Sequence, residues 1–352
     1  MLLLEIRSNY VGFFKLVKDF LIDPMLRNYM TCKGEQYMMQ EDTTQVAILL
    51  ATYNGERFIK DQLDSILNQT YQNFVCYIHD DGSTDRTVDI LKKYVSKYPK
   101  KIKLLEYPGK KGAVGNFLSL IDYAVEHCRE QYYLFSDQDD IWLPQKIELE
   151  VKKIRKIDNK LEPTLVYCDQ KIVDSQLKVI AESGMRYSKR NHEYDDLQHL
   201  AFENSAPGCV ICINRLLLEL SSKYKNINNI VMHDWWVMLI AAIWGKIGYV
   251  DVALMLYRQH GDNTLGAEQK SLNIKLKKYA KNLPKAINDK NEHVKRCERQ
   301  LIELDLISKE FKNNTQIKKL AYICKKGKLK KIKYFFKNRY LTGSRVFTLI
   351  FL

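Results

Sequence analysis

The sequence predicts an α/β domain built on a mostly parallel sheet with helices on both faces, followed by a basic helical extension. Three observations carry this expectation. From Val46 to Phe135, apolar runs of strand length alternate with stretches whose apolar residues recur at helical spacing. Successive strands end in polar, acidic or glycine-rich residues, as the ligand-binding edge of a parallel sheet does. Beyond Gly266 the composition turns to long lysine-rich segments with helical patterning. The 352 residues are enough for one large domain and such an appendage.

Residues 1–44 read apart from the rest. Val11, Phe14, Leu16, Val17, Phe20 and Leu21 suit one amphipathic helix ending at Pro24, and Gln40 to Gln45 reads as a polar linker. Two readings stay open: a packing or membrane-surface helix, or an upstream extension with translation starting at Met38 or Met39. Val46–Leu50 is then a continuous apolar strand, and Ile59, Leu63, Ile66 and Leu67 mark a helix. Phe74–Ile78 is a second strand. Ser83 or Thr84 is expected to cap the next helix, which carries Val88, Leu91 and Val95, with Asp85 in its first turn. Ile102–Leu105 is the third strand, Phe117, Leu120, Ile121, Ala124 and Val125 line a helix, and Tyr132–Phe135 is the fourth strand. Pro144 is expected to open the following helix. A fifth strand spans Thr164–Cys168, and 174–206 is polar and loop-rich, suited to shaping an acceptor pocket. A strand at 209–213, a helix at 232–244 and two strand-like pieces at 247–250 and 254–260 complete the domain.

Composition excludes several classes. With 46% apolar and 28% charged residues the chain is expected to be globular. A net charge of +14 implies affinity for polyanions without choosing among them. The eight cysteines show no disulfide framework. The pair Cys209 and Cys212 lies in an apolar run, which reads as a buried strand rather than a zinc site. No secretory signal is seen and no apolar run approaches the roughly 20 residues needed to cross a bilayer, so a cytoplasmic location is expected.

The chemistry concentrates at the strand ends. Asp137 and Asp139 follow the fourth strand two residues apart, so in an extended segment both carboxylates face one way. Such oxygens suit Mg²⁺ or Mn²⁺, although an acidic turn before a helix would look the same. Ala51–Glu56, His79–Ser83 and Gly109–Asn116 end the other strands at the same edge. Four such segments at one edge point to a nucleotide-and-metal site.

Ala51-Thr52-Tyr53-Asn54-Gly55-Glu56, Asp80-Asp81-Gly82-Ser83-Thr84-Asp85 and Ser136-Asp137-Gln138-Asp139-Asp140-Ile141-Trp142 together resemble family 2 glycosyltransferases with the GT-A fold. The Asp-Gln-Asp-Asp-Ile-Trp form, with Tyr257-Arg258-Gln259-His260-Gly261-Asp262-Asn263 downstream, is most similar to the bacterial rhamnosyltransferase-type branch. The resemblance covers residues 45–266 and leaves 1–44 and 267–352 outside. It implies an inverting, metal-dependent transferase using a dTDP- or UDP-sugar. Thr52, Tyr53 and Glu56 would hold the nucleotide base, Asp80 and Asp81 would orient and bind it, and Asp137 would contact the ribose or metal-bound water. Asp139 would bind Mg²⁺ or Mn²⁺ directly, with Asp137 beside it and His260 completing the site. Asp234 would be the catalytic base, against a plain reading as the N-cap of an apolar helix. His233 reads as structural. The glutamate–aspartate pair of other branches is His233-Asp234 here, which is a departure at the base. Lys111 and Asn116 stand where phosphate or ribose contacts are made.

The expected acceptor is a saccharide, lipid-linked, in O-antigen, capsule or other surface polysaccharide. Between Lys318 and Arg339 there are ten basic residues and no acid, interleaved with apolar ones. This reads either as a solvated packing helix or as peripheral attachment to the anionic inner face of a bacterial cytoplasmic membrane. No nucleic-acid partner is expected, since no recognised binding motif accompanies the charge. Two other readings compete: a nucleotidyltransferase that makes the sugar nucleotide, and a non-enzymatic membrane or polyanion adaptor.

Overall fold

The computed structural model describes residues 45–260 and 283–340, apart from residues 194 and 313. The expectations for 1–44 and for Gly261-Asp262-Asn263 lie outside the described residues. In chain order the elements are β1 (Val46–Thr52), α1 (Ile59–Leu67), β2 (Phe74–Asp80), α2 (Thr87–Lys97), β3 (Ile102–Leu104), α3 (Gly112–His127), β4 (Tyr132–Ser136), β5 (Ile141–Trp142) and α4 (Lys146–Ile157). Then come β6 (Thr164–Val173), β7 (Val179–Ala181), α5 (Gly184–Tyr187), α6 (Leu197–Leu200), β8 (Ile211–Asn214), α7 (Arg215–Ser221), α8 (His233–Trp244) and β9 (Lys246–Arg258). Among the described residues after β9 are α9 (Leu283–Glu310), α10 (Thr315–Cys324) and α11 (Lys328–Lys337).

One sheet runs β3-β2-β1-β4-β8-β6-β9-β5, with β7 added to β6. The expected parallel half is present: β1 pairs parallel with β2 and β4, and β2 with β3. Val46 to Leu50 are all fully buried, as a strand covered on both faces requires. Beyond β4 the sheet becomes mixed. β8 runs antiparallel to both β4 and β6, and β9 runs parallel to β6. Thus Ser136 and the acids after it lie at the same edge as the ends of β1 and β2.

Local expectations change in four places. α2 starts at Thr87 with Arg86 at its N-cap and no side-chain cap. Ser83 and Thr84 are engaged in the preceding loop, while Asp85 Oδ1 accepts from the Thr87 N–H at 2.9 Å. α4 begins at Lys146 rather than at Pro144. Gly208–Val210 form a 3₁₀ turn, so the strand expected from 209 starts at Ile211. The two pieces at 247–250 and 254–260 are one strand, β9, whose pairing with β6 shifts register at Cys168/Asp169 and Asp169/Lys171. Asp251 and Val252 are exposed near that irregularity, which breaks the apolar pattern into two runs.

The C-terminal helices pack on this body. Glu303 of α9 accepts from the N–H groups of Lys225 (2.5 Å) and Asn226 (3.1 Å) and from Asn229 Nδ2 (2.7 Å). Gln300 Oε1 accepts from the Val231 N–H at 2.8 Å. α9 therefore holds the chain that leads into α8. Trp235 and Trp236 fix α8 by donating to the carbonyls of Leu200 and Ser221 at 2.6 and 2.9 Å. No helix among the described residues is long and apolar enough to cross a membrane.

Candidate active site

The ends of β1 and β2 form a tightly bonded rim. Asp80 Oδ1 accepts from Thr52 Oγ1 (2.9 Å) and Ser83 Oγ (2.5 Å), and its Oδ2 from the N–H groups of Gly82 (3.0 Å) and Ser83 (2.8 Å). Gly82 makes this turn at φ +85°. Asp81 Oδ2 accepts from the Gly112 N–H at 2.7 Å, and Lys111 Nζ lies 3.2 Å from Oδ1. Glu56 Oε2 accepts from the Arg86 N–H at 2.9 Å. Burial works against the charge on Asp85, but hydrogen bonds from the Thr87 hydroxyl and from the Glu56 and Thr87 N–H groups hold its carboxyl below the usual range. Asn116 does not reach the cleft: it is buried, donates to the Thr52 carbonyl at 3.1 Å and lies 2.7 Å from His79 Nδ1.

Tyr53 projects from this rim, 54% exposed. Its backbone is clamped by Gln138: the Tyr53 N–H donates to Gln138 Oε1 and Gln138 Nε2 donates to the Tyr53 carbonyl, both at 2.9 Å. A Cβ on Gly55 would lie 2.2 Å from Gln138 Oε1, so a side chain there would push Gln138 out of this position. Gln138 is a site residue that sequence reasoning missed, although it lies between the two aspartates.

The centre of the site is different. Asp139 Oδ2 lies 2.8 Å from His260 Nε2, both side chains largely buried. The structure thus brings together two residues that are far apart in sequence. Arg258 braces the pair, donating through Nε to the Asp139 carbonyl (3.0 Å) and through its N–H to Asp140 Oδ1 (3.2 Å). Asp140 Oδ2 is buried and has no hydrogen-bond partner. Asp137, Asp140 and Cys209 place ligand atoms within 4.8 Å of one another. Burial, and then the carboxylates of Asp139 and Asp234, push Asp137 up to about 7. Burial and the same acidic neighbourhood raise Asp140 well above the carboxylate range.

Asp234 comes from a different element, in the first turn of α8. It is not the N-cap, which is Met232; its Oδ1 accepts from the Trp235 N–H at 2.6 Å. Burial pushes it up to about 6, opposed by the Trp235 N–H, the Arg190 charge and further donors. Arg190, from the loop-rich segment, is a second residue that sequence reasoning missed. His233 stacks on Phe117 at 3.7 Å between ring centroids, and both its ring nitrogens are buried without partners. Burial pulls it down to about 3, so it is neutral and structural. Cys209 and Cys212 are buried free thiols.

The arrangement offers an exposed aromatic beside hydrogen-bonded carboxylates, a carboxylate–imidazole pair, and a separate buried carboxylate on α8. Carboxylate and imidazole donors of the kind expected here suit a divalent cation, but among the described residues the three ligand atoms that come together are those of Asp137, Asp140 and Cys209, while Asp139 and His260 pair with each other. Burial first, and neighbouring carboxylates second, disfavour charge on Asp137 and Asp140, so a cation bound beside them would favour their ionised forms.

The sequence profile "Glycosyl transferase family 2" matches residues 47–202. A protein of Shigella flexneri named "dTDP-rhamnosyl transferase RfbG" is 34% identical over 226 residues, covering 62% of this chain and 74% of that one. An "Uncharacterized glycosyltransferase RT0329" of Rickettsia typhi is 28% identical, over 49% of this chain and about half (51%) of its own length. Among solved structures, "Mannosyltransferase PcManGT from Pyrobaculum calidifontis in complex with GDP-Man and Mn2+" superposes with a TM-score of 0.50 at 14% identity, over 93% of this chain and 80% of that one. The last likeness speaks to the fold.

Proposed function

We propose, from the premise that this chain belongs to glycosyltransferase family 2 and is a glycosyltransferase of the GT-A fold, that it moves a sugar with inversion from a dTDP- or UDP-linked donor to a saccharide acceptor. L-Rhamnose is the sugar favoured by the likeness to a dTDP-rhamnosyl transferase. The acceptor would be a growing surface polysaccharide such as O-antigen or capsule, carried on a lipid, with the enzyme peripheral to the inner face of a bacterial cytoplasmic membrane. The observation that carries this reading is the convergence of Asp137 and Asp139 after β4 with Asp234 at the start of α8, close enough that Asp234 raises Asp137.

The geometry supports the following roles. Tyr53 offers its ring to the base, and Thr52, Glu56, Asp80 and Asp81 hold the rim against which the nucleoside lies. Asp137 would take the ribose or the cation's water. Asp139, His260 and Asp137 would hold Mg²⁺ or Mn²⁺, which supplies Lewis-acid neutralisation of the departing diphosphate when bound. An acceptor hydroxyl is too weakly acidic to attack unaided. Asp234, ionised above its value of about 6, would accept the hydroxyl proton as the bond to the sugar carbon forms. In-line displacement would require the sugar carbon to lie between Asp234 and the cation, with base and leaving group on opposite sides. The buried neutral His233 cannot compete for that proton.

The test is binding and turnover. Thermal shift against dTDP-rhamnose, UDP-hexoses and GDP-sugars, with Mn²⁺ or EDTA, is expected to show a metal-dependent stabilisation by one donor class. Metal-dependent hydrolysis of that donor should follow and should vanish in Asp139→Ala. Absence of binding by every nucleotide sugar in the presence of Mn²⁺ would overturn the reading.

A further inference from the structure

Three of the large apolar side chains left exposed in the described residues fall within the stretch 322–336: Leu329 (84% exposed), Phe336 (62%) and Tyr322 (60%). Single exposed apolar residues are ordinary, but such a group within one short stretch is not. The core under these helices is already filled. Ile317, Leu320, Ala321 and Cys324 of α10 are buried, and Phe335 of α11 packs against Phe202 and Tyr340.

The outward row of α11 is Leu329, Lys330, Lys333, Phe336 and Lys337, all exposed and spaced along one helical face. α10 presents Lys318, Lys319 and Tyr322 in the same way, and Lys325 at its C-cap is exposed too. From Lys318 to Arg339 the sequence holds ten basic residues and no acid. Lys331 is turned inward, 2.7 Å from Glu298, and so marks the side that faces the body. Lys326 Nζ lies 4.0 Å from the centre of the Tyr322 ring, tying apolar and basic groups together.

We infer that the outward faces of α10 and α11 form a bilayer-docking surface, in which Tyr322, Leu329 and Phe336 enter the headgroup region and the flanking lysines hold anionic phospholipid. A merely solvated basic helix has no use for an exposed leucine and phenylalanine. A nucleic acid would take the lysines and leave Leu329 and Phe336 in water. A sheet of anionic headgroups over hydrocarbon satisfies both sets at once, which is the chemistry of interfacial helices. The inference deepens the lipid-borne acceptor reading and rests on it for its purpose, since docking would confine the cleft to the surface where such an acceptor lies.

The experiment is flotation of the full chain with vesicles of phosphatidylglycerol and phosphatidylcholine, and of phosphatidylcholine alone, with donor hydrolysis measured in parallel. The protein should float with the anionic vesicles only, and high salt should release part of it. Leu329→Ser with Phe336→Ser should lower the partition coefficient about tenfold. Lys330→Gln, Lys333→Gln and Lys337→Gln should each lower it about fivefold. Hydrolysis of the donor should be unchanged in all of them. Asp139→Ala should float like the wild type while hydrolysing nothing, so failure of the transferase reading and failure of docking are separable. Equal flotation of the wild type and the Leu329/Phe336 variant, absence of binding to anionic vesicles, or binding to a soluble polyanion such as heparin without binding to vesicles would each overturn the inference.

Discussion

The rim and the centre of the cleft are both acidic, and they meet their charges in opposite ways. At the rim, Asp80 takes four hydrogen bonds and Asp81 a backbone N–H and a lysine. At the centre, Asp140 keeps a buried oxygen with no partner, and Asp137 and Asp234 are both raised by burial. The difference separates two jobs. The rim is a shape held ready by the chain itself, whereas the centre holds buried acids whose charge the proposed cation would neutralise. Removing a rim acid should therefore damage structure, and removing a central acid should damage chemistry while sparing or improving stability.

The largest effect that tests this contrast is on turnover. Asp234→Asn keeps the size and the helix start but cannot accept a proton, and kcat should fall about 10³-fold with little change in Tm. In Asp139→Ala kcat should fall as far if the proposed cation is lost with it. Steady-state transfer to an acceptor measures both. If Asp234→Asn retained a tenth of wild-type kcat, the base would lie elsewhere and the centre would lose its distinguishing role. For the active enzyme, kcat/KM should rise with pH through about 6, the value to which burial lifts Asp234, because the base works only when ionised.

Next in size is a rim substitution. Asp80→Ala leaves Thr52 Oγ1, Ser83 Oγ and two backbone N–H groups without their acceptor. The expected cost is about 2–3 kcal/mol of folding stability, read by urea denaturation. A fully stable Asp80→Ala protein would erase the contrast from the rim side.

The centre should respond in the opposite sense. Asp137 has a folded value of about 7, above an unfolded value of about 4. The folded chain thus holds its proton more tightly than the unfolded one. The stability that this gives is complete below pH 4 and is lost as pH rises through 7. Without cation, Tm should fall by on the order of 5 °C between pH 5 and pH 8, and Asp137→Asn should flatten that slope. Mn²⁺ should raise Tm more at pH 8 than at pH 5. A pH-independent Tm in EDTA, or an unchanged slope in Asp137→Asn, would show that the acids are satisfied within the chain.

How far this was legible in the sequence follows the same division. The strands β1 to β4 and the acids at their ends could be read from apolar runs, because the polar residues lie next to the strands that deliver them. The pairing of His260 with Asp139 was available only through a family resemblance, since nothing local links a residue on β9 with one after β4. The mixed half of the sheet was not legible: β8 inserts between β4 and β6 by a choice of neighbour that no periodicity encodes. β9 read as two strands because its register shift interrupts the alternation. Ser83 and Thr84 looked like caps because capping and loop bonding use the same side chains, and tertiary contacts with Asn54 decided between them. Arg190 gave no signal, lying in a polar segment with no pattern.

The smallest and sharpest test falls on Gln138, which belongs to both regions. It stands between the two aspartates in sequence, yet its side chain serves the rim by gripping the backbone of Tyr53 from both sides. If the rim acts by being held ready, Gln138→Ala should free Tyr53 to sample other positions and the donor would have to order it on binding. That lost preorganisation amounts to about 1 kcal/mol, or a KM for the donor raised about fivefold at nearly constant kcat. If Gln138 belonged functionally to the centre, kcat would fall and KM would hold. The ratio of the two changes, measured with the donor varied and Mn²⁺ saturating, decides on which side of the cleft this residue acts.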